Sequence, residues 1–295
     1  MKLTRRSFLA LLSLVGPSLD ARAQPNIPEV TLDILKEQVP THRLDVSDLV
    51  LANGRSFRIF RALPTKAPTP AGYPALYMLD GNGAFDVLTA ELLAQVPGLA
   101  VFGIGYPTEL RFAVEQRSLD YTPSLAGFGP GPDPQRPDRQ VGGAADFLAI
   151  LRDELRLSVE AGVLVDSSRR FLWGHSYGGL FALYVLLNQP SAFAGYAAIS
   201  PSVWWGEKAL QQLEEKRGAA SAPARVLIAL GDREQRSSDK TPLRIGPAPA
   251  TMELVERLRR HEDLSITATV LDGLGHGQTF AASIPLVLDW ISAAE

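Results

Sequence analysis

Apolar residues fall into two rhythms along this chain. Ala75 to Leu79 and Leu99 to Ile104 are short continuous runs. Their length and uniform hydrophobicity suit strands buried on both faces. Arg170 to Trp173, Gly195 to Ile199, Arg225 to Leu230 and Ser265 to Leu271 read as further strands. Between them lie segments with helical spacing: Ala84 to Gln95, Gly143 to Leu157, Tyr177 to Asn188, Thr251 to His261 and Ile284 to Ala294. Strand and helix alternate, which predicts an α/β fold with a mostly parallel sheet covered on both faces. Val46 to Leu63 alternates instead, with Asn53-Gly54 as a two-residue turn signal, so it predicts a hairpin forming an antiparallel edge. Pro64 to Pro74 is a connecting loop, and Asp80-Gly81-Asn82-Gly83 a turn.

One stretch breaks the alternation. Arg111 to Gln140 reads as irregular, and its Gly127 to Pro134 core is too rich in Gly and Pro for helix or central strand. A loop of that length is either functional or mobile. There is no internal repeat, no low-complexity tract and no interdomain linker, so residues 24–295 read as one domain.

The N-terminus is not part of the fold. Arg5-Arg6-Ser7-Phe8-Leu9 precedes an apolar run from Leu9 to Val15, and Ala21-Arg22-Ala23 is a small-x-small cleavage site. This is the layout of a signal peptide over residues 1–23, and the run is too short for a permanent span. Thr4 before the arginine pair and Phe8-Leu9 after it favour the twin-arginine form over a Sec signal. Cleavage would leave a protein beginning near Gln24 in the periplasm or outside the cell. It would remove Lys2, Arg5, Arg6, Arg22 and Asp20, a net +3 from a chain of −3, leaving −6. An acidic chain without a basic run or a second long apolar stretch argues against nucleic acid and against stable membrane insertion.

Composition narrows the chemistry. No cysteine is present, which excludes disulfides, thiol nucleophiles and Cys-based metal sites. His42, His175, His261 and His276 show no metal-ligand spacing, so neither metal nor other cofactor is expected. The strongest chemical signal is Phe171-Leu172-Trp173-Gly174-His175-Ser176-Tyr177-Gly178-Gly179, a strand, then Gly-x-Ser-x-Gly, then a helix. Side chains at Gly174 or Gly178 would crowd so sharp a turn. The turn presents Ser176 at a helix N-terminus, where negative charge is favoured.

A serine needs a base. In this chain order the acid and then the histidine follow the serine. His261 lies among charges at a helix end. His276 lies in a Gly-rich loop after a strand, at the carboxyl edge of the sheet where ligands gather. His175 should point away from Ser176 and pack. The acid follows the preceding strand, in Gly231-Asp232-Arg233-Glu234-Gln235, with Glu234 preferred by its offset and Asp232 as the alternate. The oxyanion hole takes the Tyr177 N–H and one from Gly81 or Asn82.

Several segments, in order, carry a resemblance: Leu76 to Asn82, Arg117-Ser118-Leu119-Asp120-Tyr121-Thr122-Pro123, Gly174 to Gly179, Ser200-Pro201-Ser202-Val203-Trp204-Trp205, Gly231 to Gln235 and Gly275-His276. Together they resemble the esterase D-like branch of α/β-hydrolases, and within it the periplasmic siderophore esterases that open enterobactin-type trilactones. The resemblance covers nearly all of the chain after residue 23. It implies that Ser176 and His276 are the catalytic pair. Some members work as a Ser–His dyad, which leaves the part of Glu234 open. It implies a small-molecule ester, such as a ferric catecholate siderophore, as the partner. Such a trianion wants cationic and aromatic surface, which Arg117, Tyr121, Trp204 and Trp205 would offer. The competing reading for Arg117 is an ion pair with Asp120 or a surface charge, and for the tryptophans core packing. The competing functions are a general carboxylic esterase or acyltransferase, and an exported binding protein on a silent hydrolase scaffold. The intact Ser176, His276 and acid argue against the last.

Overall fold

Alternation over the first strands produces the expected hairpin. β1 (His42–Val50) and β2 (Ser56–Pro64) pair antiparallel from His42↔Pro64 to Val50↔Ser56. The connection is longer than a two-residue turn, because Leu51 N–H still bonds Arg55 O and Gly54 closes the loop at φ 82°. The computed structural model describes residues 28–124, 129–206, 209–218, 223–234 and 245–293. The expected export segment, Gly127, Phe128 and Gln235 therefore lie outside the described residues.

The next elements are β3 (Tyr73–Leu79), α1 (Gly81–Val87), α2 (Ala90–Gln95), β4 (Ala100–Gly105) and α3 (Val114–Tyr121). The helix expected over 84–95 is thus two helices. Its break comes at Leu88–Thr89, where extended backbone lets the Thr89 hydroxyl cap α2 by accepting from Leu92 N–H. The segment read as irregular from Arg111 contains α3, a helix whose Ser118, Asp120 and Tyr121 are buried. Burial of polar side chains hid it from a hydrophobic-period reading.

A small ribbon, β5 (Gly131–Pro132) with β6 (Gln140–Val141), precedes α4 (Ala144–Ile150), which runs through a π turn (Leu151–Leu155) into α5 (Arg156–Val159). The chain continues with β7 (Val165–His175), α6 (Tyr177–Asn188), β8 (Gly195–Ile199) and α7 (Ala209–Lys216), then β9 (Ala224–Gly231), α8 (Pro249–Leu258), β10 (Leu264–Leu271) and α9 (Gln278–Ser292). The closing helix begins earlier than its apolar spacing indicates.

The eight-stranded sheet has the order β1-β2-β4-β3-β7-β8-β9-β10. β2 is antiparallel to β4, and every pair from β4–β3 to β9–β10 is parallel. Strand parity divides the core between the two faces. Ala75, Tyr77, Leu79 and Leu172 join one apolar cluster with Phe147 and Phe181, while Leu76, Met78, Phe171 and Trp173 join another with Phe85 and Phe280. Two covered faces explain why the central strands read as unbroken apolar runs. Parallel direction brings the carboxyl ends of β3, β7, β8 and β9 together along one edge, where loops build sites in open α/β sheets. Among the described residues no helix is long and apolar enough to cross a membrane.

Candidate active site

Three strands leave the sheet at this edge through non-glycine residues with positive φ: Asp80 after β3 (53°), Ser176 after β7 (58°) and Ser200 after β8 (43°). Each such conformation costs on the order of 1–3 kcal/mol and persists only when its surroundings fix it. At Ser176 the fixing is visible. Its N–H donates to Ile199 O at 2.9 Å, and its carbonyl accepts from Leu180 and Ser202 N–H. A Cβ on Gly174 would lie 2.3 Å from Gly178 C and O, and one on Gly179 would lie 2.9 Å from Ile199 O. A Cβ on Gly178 meets nothing closer than 3.5 Å. The turn therefore requires Gly174 and Gly179, and the crowding expected at Gly178 is absent.

The Ser176 hydroxyl donates to His276 Nε2 at 3.0 Å. On the other side of the ring, Nδ1 lies 3.5 Å from Glu234 Oε2. The second Glu234 oxygen accepts from Gly231 N–H at 2.8 Å and from the Ser200 hydroxyl. Burial pushes the Glu234 carboxyl up, but the hydrogen bonds from His276, Ser200 and Gly231 outweigh it and hold the group below the usual glutamate value. An ionised Glu234 favours the Nδ1–H tautomer, which leaves Nε2 free to accept the serine proton. Asp232 is not brought to the histidine. Its Oδ1 accepts from Gly273 N–H at 2.7 Å and fixes the turn that leads to His276.

His175 packs beneath this pair, its ring centroid 4.9 Å from that of His276. Its Nε2–H donates to His276 O at 2.8 Å. Burial first, and the neighbouring His276 second, hold His175 far below the usual histidine value, so it stays neutral.

For the oxyanion, the first intrahelical bond of α6 is Leu180 N–H to Ser176 O, and that of α1 is Ala84 N–H to Asp80 O. The Tyr177 N–H and the N–H groups of Gly81 and Asn82 thus lie in first turns, without a carbonyl one turn back. The Asn82 side chain is not a substrate contact. It accepts from Tyr106 N–H and donates to Tyr106 O and Thr108 O, pinning its loop to the end of β4.

Two of the four expected substrate-binding side chains are corrected. Tyr121 is fully buried, and its hydroxyl accepts from Asp80 N–H at 3.2 Å. Trp205 is buried, with its indole N–H on Pro123 O. Arg117 does line the cleft at Ser176, but its donors are taken by Asp80, at 2.8 and 2.9 Å, and by His175 O at 3.3 Å. Burial pulls Arg117 toward neutrality, and the Asp80 carboxylate more than offsets that, holding it charged. Its partner is not Asp120, which instead pairs with Arg55 and accepts from the Tyr106 hydroxyl. Arg117 and Tyr121 together clamp the Asp80 loop that carries the Gly81 and Asn82 N–H groups. Trp204 remains at the surface, 39% exposed, against the ring of Tyr177.

Two clefts meet at His276. One, of about 250 Å³, contains Ser176 and is lined by Val87, Arg111, Phe112, Phe280 and Ala281. The other, of about 430 Å³, lies toward Trp204, Glu234, Gln135 and Pro249. Arg111, Phe112 and Phe280 were missed from sequence, since two lie in the segment read as irregular and the third in the unrecognised start of α9. Ser200, Ser202 and Thr279 were also missed as site residues. The first two sit inside the Ser-Pro-Ser motif, which was the available signal. Ser202 is buried, with Oγ 3.4 Å from that of Ser176.

Known proteins share this architecture. A family model described as putative esterase matches residues 52–264. The ferri-bacillibactin esterase BesA of Bacillus subtilis (strain 168) is 32% identical over 240 residues, covering 76% of this chain and 79% of that protein. The apo-salmochelin esterase of Escherichia coli O6:H1 is 40% identical over 159 residues, which span 53% of this chain and 50% of that one. The structure of enterobactin hydrolase IroE in complex with DFP superposes with a TM-score of 0.70 at 29% identity, covering 88% of this chain and 99% of that one. A strained serine between β7 and α6, its histidine at hydrogen-bond distance and a family match over most of the sheet agree: the chain belongs to the putative esterase family of α/β-hydrolases.

Proposed function

We propose that this protein is a serine esterase that cleaves ester bonds of a catecholate siderophore of the cyclic trilactone kind, or of its linear products. The observation that carries the reading is the 3.0 Å contact between Ser176 Oγ and His276 Nε2 at a strained elbow. The siderophore assignment is supported by the relatives, whose names include bacillibactin, salmochelin and enterobactin.

The chemistry follows from the geometry. Ser176 Oγ attacks the ester carbonyl while its proton passes to His276 Nε2. The N–H of Tyr177 and one from Gly81 or Asn82 bind the oxyanion. The imidazolium returns the proton to the departing alkoxide, which leaves as a free hydroxyl of the opened ester. Water, deprotonated by His276, then releases the acyl group and restores Ser176. Glu234 holds the imidazole tautomer and stabilises the imidazolium. Arg111, one-third exposed beside Phe112 and Phe280, is held by the buried Asp86 and presents a cation at the cleft. Trp204 offers an aromatic face at the second cleft. Export to the periplasm through residues 1–23 would place the enzyme where imported siderophores arrive, and a mature N-terminus near Gln24 checks it.

The test is hydrolysis of an iron-free and an iron-loaded trilactone siderophore, followed chromatographically, by wild type and by Ser176→Ala. Wild type should yield linear products, and the variant should lose several orders of magnitude while folding normally. Turnover of p-nitrophenyl esters without any trilactone cleavage would move the assignment to a general carboxylic esterase.

A further inference from the structure

We propose that Ser200 and Thr279 are positioning residues for His276, a pair of buried hydroxyls that carries the hold of the Glu234 carboxylate to the backbone of the histidine. The inference rests on the assignment of Ser176, His276 and Glu234 given above. It starts from a mismatch. Charge-assisted N–H···O bonds are usually about 2.7–2.9 Å long. The direct Glu234–His276 contact is 3.5 Å, so by itself it fixes the ring weakly.

The indirect route is tighter at every step. Ser200 Oγ donates to Glu234 Oε1. Ser200 Oγ and Thr279 Oγ1 are 2.6 Å apart, and Thr279 Oγ1 is 2.7 Å from His276 O. His175 Nε2 reaches the same carbonyl at 2.8 Å and Thr279 Oγ1 at 3.2 Å. Ser200 and Thr279 are both buried, so water does not compete. The backbone of Ser200 is also strained, at φ 43°, and is held there by a 2.7 Å bond from its N–H to Ala229 O. That conformation is what turns its hydroxyl toward Glu234.

Counting protons gives the network a direction. With Glu234 ionised, three oxygen–oxygen contacts share two hydroxyl protons. Ser200 must donate to the carboxylate, because a carboxylate only accepts. Thr279 then divides its proton between Ser200 and the His276 carbonyl, and the His175 N–H supplies the carbonyl when Thr279 turns away. The chain is ordered by the negative charge at its end. A neutral glutamine at position 234 still offers an acceptor oxygen but removes the charge that orders the chain, so the grip of Thr279 on His276 depends on Glu234. A hydroxyl serving only as a local cap of α9 would show no such dependence.

The experiment is a double-mutant cycle on Thr279→Val and Glu234→Gln, with Thr279→Ser and Ser200→Ala alongside. Activity is read on p-nitrophenyl acetate. Reactivity of Ser176 is read separately as the rate of inactivation by DFP, which needs no substrate pocket. Thr279→Val should lower kcat about tenfold with KM changed by less than about twofold, and should slow DFP inactivation in parallel. Thr279→Ser should recover to within about threefold of wild type, and Ser200→Ala should resemble Thr279→Val. In the Glu234→Gln background, Thr279→Val should cost less than about threefold more. Equal costs in the two backgrounds, a loss in KM alone, or full activity with only lowered thermal stability would each overturn the inference. A wild type inert to both DFP and p-nitrophenyl acetate would refute the assignment of Ser176 and His276 and this inference with it. An active wild type with an unaffected Thr279→Val would refute this inference alone.

Discussion

Replacing Arg117 by methionine separates a binding role from a structural one. The guanidinium is held by both Asp80 carboxylate oxygens, and the two side chains are 12% and 1% exposed. It also lies 5.5–5.6 Å from the ring centroids of Phe112, Tyr121 and Tyr177. Methionine keeps much of that packing and leaves the Asp80 carboxylate buried without its partner. Breaking a buried pair in this way costs about 3–5 kcal/mol. For a large domain, at about 2–4 °C per kcal/mol, that corresponds to a Tm lower by roughly 6–20 °C. Asp80 precedes Gly81 and Asn82, the proposed oxyanion donors, so a shift of its loop should lower kcat about tenfold or more, whatever ester is offered. The assay pairs thermal unfolding with kinetics on a neutral and an anionic p-nitrophenyl ester, such as the butyrate and the hemisuccinate. Both esters should lose activity by the same factor. Adding Asp80→Asn should recover most of the stability, because no buried charge is then unpaired, while turnover stays low. Unchanged Tm with a loss confined to the anionic ester would refute this reasoning and make Arg117 a substrate contact.

Three further outcomes follow from the site. Glu234→Gln should lower kcat on p-nitrophenyl acetate about 10²-fold. The basis is a charge 3.5 Å from the imidazolium, worth between about 1 and 5 kcal/mol across the range from bulk water to an effective dielectric of 20. Asp232→Asn should cost far less, and the reverse order would exchange the two roles. Gly178→Ala should be tolerated or slightly stabilising, since its Cβ has room and alanine favours the helix by about 1 kcal/mol. Gly179→Ala should destabilise by about 1–3 kcal/mol in urea unfolding, because its Cβ collides with backbone. Equal tolerance of both would contradict the elbow geometry. Finally, folded His175 resists protonation while the unfolded residue takes up a proton near its ordinary value of about 6.5. Stability should therefore fall as pH drops below about 6.5, and His175→Gln should flatten that slope between about pH 7 and pH 5. Identical slopes in the two proteins would show that His175 does not contribute.

What the sequence determined by itself is whatever short segments encode. Unbroken apolar runs announced β3 and β4, because two covered faces leave no polar positions. The boundaries of α6 and β8 were legible to the residue. Gly174-His175-Ser176-Tyr177-Gly178 announced the elbow, and chain order pointed to His276 and to the loop holding Asp232 and Glu234. α3 was not legible, because its buried residues are polar and find their partners far away: Tyr121 at Asp80, and Asp120 at Arg55 and Tyr106. For the same reason the sequence offered Arg117, Tyr121 and Trp205 as ligand contacts, although of the three only Arg117 lines the cleft. Only the fold shows that Arg117 is neutralised by a carboxylate 37 residues away and that Tyr121 and Trp205 point inward. The choice between Glu234 and Asp232 was likewise tertiary, since two acids two residues apart differ only in which one the β9 loop turns toward His276. The Ser200–Thr279 link was beyond any sequence pattern. Its hydroxyls are 79 residues apart and meet only because parallel strands deliver β8 and the start of α9 to the same edge.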